Sequence, residues 1–354
     1  MKRIILFGFF IFFLIPGNTI SVFSQDVEAK EKGKENFEAS SYILEHIADA
    51  HEWHLFTRKN GENVAIYLPV ILYSRESGLT MFSSKRLAHG KVYKGFRIEE
   101  EGDLKGKIVS INAEGIPDEK ILPLDFSITK TVVGMFGAAL IGLVLFLSLA
   151  RSYRKTGISH PHGIQSFLEP IVLFVRDDIA IPNLGLHKYE RYMPYLLTAF
   201  FFILINNLMG LVPFPPPFGA NVTGNIAITF LLAFCTFLIT QISGNKTYWR
   251  HIFATPGVPI WLLPVMVPVE MIGIISKPFA LMIRLFANIL AGHIIVLSLI
   301  CLIFIFDSLA IAPVSIFFVI FMDCLELLVA FLQAYIFTLL SALFISLAVQ
   351  EEHH

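Results

Sequence analysis

The chain has 354 residues, a formal net charge of -1 and a hydrophobic fraction of 55%. Soluble domains hold ~45–50% apolar residues, so this composition places most of the chain in a bilayer, and the balanced charge excludes nucleic acid as a partner. Cys235, Cys301 and Cys324 all fall in apolar runs, which excludes a disulfide framework or a CxxC metal site and reads them as small buried hydrophobes.

Residues 1–24 read as a signal peptide. Lys2 and Arg3 form its charged start, Ile4 to Ile15 its apolar core, and Val22-Phe23-Ser24 a small-residue cleavage pattern. That core is shorter than the ~20 residues that span a bilayer, so an uncleaved anchor is the weaker alternative. Residues 25–125 follow as an exported N-terminal extension. Asp26 to Asn36 is charged and unsuited to packing. Ser41 to Phe56 has helical spacing, with Ile43, Ile47 and His51 in line. Short runs at Val64 to Tyr73, Leu79 to Phe82 and Lys107 to Ile111 predict strands. His46, Asp49, His51, Glu52 and His54 cluster here. Because His51-Glu52-Trp53-His54 is one residue short of HExxH, a solvated helix face is the preferred reading over a metal site.

Residues 126–354 form the membrane domain. Thr131 to Ala150 spans, and Arg151, Arg154 and Lys155 mark its cytoplasmic end. Gly163 to Val175 is amphipathic and is expected along the cytoplasmic surface. Tyr195 to Val212 crosses outward and Ile226 to Ile242 returns. Pro256, Pro259, Pro264 and Pro268 predict an irregular entry into the membrane. Lys277 to Phe304 and Val314 to Gln350 then read as continuous helices of ~42 and ~55 Å at ~1.5 Å per residue. Both exceed the ~30 Å hydrocarbon core, so both are expected to tilt strongly. The predicted fold class is an all-α polytopic membrane protein with two long tilted C-terminal helices forming a hairpin, plus a small exported N-terminal domain with some β structure.

Polar residues in that hairpin are few: Lys277, Arg284, Asn288 and His293 on one helix, Asp323, Glu326 and Gln333 on the other. A guanidinium stays charged in any environment, and holding one at mid-bilayer costs from ~2.5 to well over ~10 kcal/mol. Such a charge points first to ion transport. Snorkelling is the bland alternative, and Lys277 already fills that role. Asn288 lies about 40° from Arg284 around the helix, and Ala280, Ala287 and Ala291 share that face within about 60°. A stripe of small residues lets another helix come close. Mirrored about the middle of the Phe306–Pro313 connection, His293 falls level with Glu326, and Arg284 with Gln333 about two turns deeper. The first pair reads as a proton relay or as a structural tie.

Pro278 to Ile294, PFALMIRLFANILAGHI, and Leu332 to His353, LQAYIFTLLSALFISLAVQEEH, closely resemble the signatures of subunit a of F-type ATP synthases. Asn206 to Pro213 and Phe174 to Ala180 are similar to earlier stretches of that family. The resemblance covers residues 127–354. It implies that Arg284 is the stator arginine facing the rotor ring, and that Asn288, His293, Glu326 and Gln333 line or flank the outer proton half-channel. Glu270 matches an acidic position of the cytoplasmic half-channel. Some relatives carry the residue types of His293 and Glu326 in exchanged order. Ala280 departs from members that have serine there. The resemblance further implies a ring of proteolipid subunits, a peripheral-stalk membrane subunit and membrane lipid as partners. It implies no cofactor, no catalytic site of the chain's own, and a bacterial inner-membrane location with the C-terminus cytoplasmic. A secondary antiporter, the rival from another class, would show inverted repeats, and none is evident.

Overall fold

The computed structural model describes residues 43, 47–57, 63–75, 77–99, 104–111, 122–156, 163–212, 216–253, 259–306 and 311–350. The expected signal peptide, the charged stretch Asp26 to Asn36 and His46 lie outside the described residues.

Ahead of the long helices the chain alternates apolar and polar residues in short runs, the period of a half-buried strand. β1 (Glu52–Thr57) pairs antiparallel with β2 (Asn63–Tyr67), while β3 (Pro69–Ser74) lies between β4 (Gly78–Ser83) and β7 (Leu124–Asp125). β5 (Phe96–Ile98) and β6 (Ile108–Ser110) form a further pair. Val70 and Leu72 point to one face of β3 and join Phe82, Leu87, Phe96 and Ile108 in a small core. The expected Ser41 to Phe56 helix is corrected by β1. Trp53, His54 and Phe56 match Ile66, Ala65 and Val64 in register, so tertiary pairing overrides the helical spacing from Glu52 onward. The expected single run Val64 to Tyr73 is two strands. Pro69 cannot donate to a ladder, and the Leu68 amide turns aside to His51 O at 3.2 Å and Ser84 Oγ at 3.1 Å.

Among the described residues, five helices are long and apolar enough to cross a membrane. They are α1 (Lys130–Thr156), α4 (Tyr189–Leu211), α5 (Ile226–Ser243), α7 (Leu263–Phe306) and α8 (Ala312–Val349). This matches the expected polytopic helical class with some β structure ahead of it. Short helices α2 (Ile164–Phe174), α3 (Ile181–Leu184) and α6 (Lys246–Phe253) lie between them. A π-helical stretch, Val175–Ala180, joins α2 to α3 and buries Val175, Ile179 and Ala180 completely.

The core forms where α4 meets α8 and the π-helical stretch. Leu196, Phe200 and Ile203 of α4 pack with Phe337 and Ile345 of α8. A buried polar link crosses it: the hydroxyls of Tyr195 and Thr236 are 2.6 Å apart, and Ser341 Oγ is 3.2 Å from Thr236.

α7 and α8 pack along each other, and the Ser315 hydroxyl of α8 donates to the Leu299 carbonyl of α7. Their lengths come to ~66 and ~57 Å at ~1.5 Å per residue. The expected proline interruption is corrected for Pro264 and Pro268, while Pro259 precedes a short 3-10 turn and Pro256 lies outside the described residues. α7 begins at Leu263, and Pro264 sits in its first turn, where a missing amide hydrogen leaves no bond unmade. The helix then continues through Pro268 and Pro278. Cys301 is buried as expected, whereas Cys324 is exposed because α8 is apolar on all sides and only part of it meets the rest of the chain.

Candidate functional site

Helical spacing on α7 puts Leu281, Met282 and Leu285 inside and turns Ala280, Arg284, Ala287, Asn288 and Ala291 out, all exposed. Among the described residues, no side chain forms an ion pair or hydrogen bond with the Arg284 guanidinium. The charge therefore stands on a smooth face of small residues, with Asn288 one turn along. Gln333 is buried, 4% exposed, and among the described residues no hydrogen bond links it to Arg284. Gln333 is buried on α8, while Arg284 is exposed on α7. Glu270, half-buried, lies more than three turns toward the start of α7.

Farther along α7 the His293 ring turns inward. His293 Nδ1 lies 3.7 Å from Glu326 Oε2, and both side chains are largely shielded, at 20% and 13% exposure. This closeness depends on Gly292, because a Cβ there would fall 2.5 Å from Glu326 Oε1. On its other side the His293 ring faces Gly210 of α4. His293 Nδ1 and Glu326 Oε1 are buried without a hydrogen-bond partner among the described residues. Buried polar atoms left this way call for water or a shared proton.

A fixed amide ties α4 to α8 one turn past Glu326. Asn207 of α4 accepts from the Thr223 hydroxyl at 2.7 Å and donates to the Ala330 carbonyl at 3.2 Å. Asn207 and Thr223 are 3% and 1% exposed. Asn206 next to it leaves its Oδ1 buried and unpartnered among the described residues. Neither Asn207 nor Thr223 is among the expected site residues. Two adjacent amides inside an apolar helix were the available signal for Asn207.

The N-terminal domain meets the helices at this same end. Asp49 Oδ1 accepts from the Thr131 amide at 3.0 Å, and the Ala50 carbonyl accepts from the Lys130 amide at 2.9 Å, so both satisfy free amides in the first turn of α1. Trp53 is buried with Ala220 and Val222, against Val133, Met135 and Ile228. Gly134 makes room for that loop, since a Cβ there would fall 2.6 Å from Ala220 Cβ. His51 Nε2 and Asp125 Oδ2 are 2.9 Å apart. Burial pushes the Asp125 carboxyl up, but hydrogen bonds from His51 and Ser127 outweigh it and hold the group below its ordinary range.

The His cluster is therefore corrected. His51 is 8% exposed and tied to Asp125, and Asp49 caps α1, so neither lies on a solvated helix face. Among the described residues, no three His, Cys, Asp or Glu side chains gather as metal ligands.

Residues 132–346 match the ATP synthase A chain family model, more than half of the chain. The chain belongs to the ATP synthase A chain family. Among its relatives, the ATP synthase subunit a of Chloroherpeton thalassium is 48% identical over 245 residues, which is 68% of this chain and 72% of that one. That of Myxococcus xanthus is 48% identical over 236 residues, 65% of this chain and 76% of that one. The membership makes the chain a multi-pass membrane protein of the F-type ATP synthase membrane sector, with a role in ion transport for ATP synthesis. Glu270, Arg284, Asn288, His293, Glu326 and Gln333 all lie inside the subunit a match. Residues 42–126 match a second family, described as a domain of unknown function. Asp49, His51, Trp53 and Asp125 belong to that second match.

Proposed function

We propose that this subunit is the proton-translocating stator of the membrane sector, presenting Arg284 to the carboxylates of a rotor ring between two offset half-channels. The observation that carries the reading is a permanent cation on an exposed stripe of small residues, on a helix that holds few other polar groups. Lipid would not stabilise a guanidinium there. A partner helix bearing a carboxylate would, and the small residues allow it to come close.

A ring carboxylate must ionise to release its proton, and ionisation in lipid is prohibitive. Arg284 stabilises the ionised form as it passes. Its fixed charge also repels a proton, which blocks a direct leak from one half-channel to the other. Each proton crossing ~100 mV delivers ~2.3 kcal/mol. On this reading His293 and Glu326, with Asn288 and Gln333 nearby on the helices, serve the outer half-channel, and Glu270 serves the cytoplasmic one.

The remaining assignments follow from this orientation. The signal peptide directs residues 25–125 to the outside of a bacterial inner membrane, and the C-terminus stays in the cytoplasm. α7 and α8 form a tilted hairpin against the curved ring, since both are far longer than the ~30 Å hydrocarbon core. The partners are the proteolipid ring, a peripheral-stalk subunit and lipid.

Substituting Arg284→Ala tests the assignment. In membrane vesicles holding the assembled complex, ATP-driven proton pumping and ATP synthesis are expected to vanish while the subunit still assembles. Normal coupled pumping by that variant would overturn the role.

A further inference from the structure

The stator reading gives the N-terminal domain no part, yet this domain carries an apolar face that its own fold leaves uncovered. Side chains alternate along a strand, and one face of the β3–β4–β7 sheet supplies Val70, Leu72 and Phe82 to the small core. The opposite face of such a sheet is ordinarily polar. Here it sets Tyr73 opposite Leu79 and Leu124, and Ile71 opposite Met81. Phe126 joins them, its amide donating to the Ile71 carbonyl at 2.9 Å. Leu79, Met81, Phe126 and Leu124 are 71%, 66%, 63% and 58% exposed. A contiguous exposed apolar patch marks an interaction surface.

Two observations name its occupant. The first is how closely the sheet is tied to a membrane span. The pairing of β7 with β3 carries on to Ile128, whose amide donates to the Pro69 carbonyl at 3.1 Å, and α1 begins two residues later. Asp49 and Ala50 of the same domain accept from the first two amides of α1. The sheet is therefore fixed at the end of the span. The row of Ile71, Met81 and Phe126 lies one strand repeat, ~7 Å, beyond Ile128. The headgroup layer is itself ~5–8 Å deep on each side of the hydrocarbon. The second observation is charge. Residues 69–98 hold six basic residues and one acidic residue, Glu76. Arg75 lies in the turn between β3 and β4, Lys85 lies just past β4, and both are exposed. An apolar hairpin with cations at both ends suits an anionic lipid surface.

We propose that the outward face of the β3–β4–β7 sheet rests on the bilayer surface around the start of α1. Leu79, Met81 and Phe126 enter the boundary between headgroups and acyl chains, and Arg75 and Lys85 meet anionic headgroups. The domain is then an interfacial foot that fixes the depth and angle at which α1 enters the membrane. This role does not depend on Arg284.

A dye that reports lipid contact tests the placement. Leu79→Cys, Met81→Cys and, for reference, Lys107→Cys are labelled one at a time in the complete complex. Cys235, Cys301, Cys324 and the cysteines of other subunits are replaced by alanine. All three labelled positions are exposed, so the changes spare the core. The complexes are reconstituted in vesicles of phosphatidylglycerol and phosphatidylcholine. Quenching by headgroup-spin-labelled lipid is then compared with quenching by iodide. Lipid is expected to quench the dye at positions 79 and 81 several-fold more than at position 107, and iodide several-fold less. Equal quenching at all three positions by both agents would place the face in water and overturn the inference. Shielding from both agents that is lost in the isolated subunit would overturn it in favour of a neighbouring subunit. A disulfide joining two copies through Met81→Cys would overturn it in favour of a second copy of the chain.

Discussion

His293 Nδ1 and Glu326 Oε2 stand 3.7 Å apart across the α7–α8 contact, beyond direct hydrogen bonding and close enough for each charge to govern the other. The acid and the base are complementary, so their order matters less than their joint presence. Exchanging the two, His293→Glu with Glu326→His, is expected to retain proton pumping within a few-fold of the parent. His293→Gln or Glu326→Gln alone should lower it by about tenfold or more. Equal losses in all three variants, measured on complexes of equal abundance, would show that the pair does not act together.

Gly292 decides how near α8 comes. An added methyl would sit 2.5 Å from Glu326 Oε1 and 2.9 Å from its Cδ. The clash is with the far end of a flexible side chain, so Gly292→Ala displaces the carboxylate and leaves the helices packed. It also removes a residue unfavourable to helices by about 0.8–1.0 kcal/mol. The expected outcome is a subunit that assembles at least as well as the parent yet pumps several-fold more slowly. Quantitative blotting of the complex beside the pumping rate checks both halves of this expectation.

The His51–Asp125 contact, which ties the start of the N-terminal domain to its end, makes the domain's stability sensitive to acid. The folded Asp125 carboxyl is held below its ordinary value of 3.8, so the contact contributes fully above that value. The contribution fades as pH falls through the lower folded value, when the carboxylate takes up a proton. Proteolysis of the domain in the purified complex should therefore rise steeply below about pH 4. Asp125→Asn should raise susceptibility at neutral pH and flatten the acid dependence. An unchanged acid profile in that variant would place the acid sensitivity elsewhere.

Much of the helical part was legible because its signals are local. Apolar runs placed both ends of α5 and the end of α4 to within one residue, though α4 starts earlier, at Tyr189, and the 3.6-residue repeat placed Arg284 with Ala280, Ala287, Asn288 and Ala291 on one face. Mirroring about the α7–α8 connection put His293 level with Glu326, and the two side chains do lie 3.7 Å apart. The failures are long-range or contextual. Asp49 caps a helix 82 residues away, and His51 meets Asp125 across 74 residues, so nothing local in the His cluster could show either partner. Glu52 to Phe56 satisfied a helical period and a strand period at once, and pairing with Asn63–Tyr67 decided between them. Pro264 and Pro268 were read as breaks because the start of α7 was placed too late. Counted from Leu263, Pro264 sits where proline is tolerated.

Arg284 offers the sharpest separation between charge and geometry. Lysine keeps the charge at neutral pH in water, but its ammonium is a compact point charge that sheds a proton when desolvated. A guanidinium does not, and its planar fork binds a carboxylate through two parallel hydrogen bonds. The site lies on a helix face that only a close partner would cover, which is where desolvation acts most strongly. Arg284→Lys is therefore expected to lower ATP synthesis by about a hundredfold, a loss comparable to removing one preorganised donor from a charge-stabilising site. It should also admit a passive proton leak that Arg284→Ala shares and the parent lacks. Leak is read as the decay of an imposed pH gradient across vesicles with ATP hydrolysis inhibited. Full synthesis by the lysine variant would show that any cation suffices at this position, and that fixed protonation is not what Arg284 supplies.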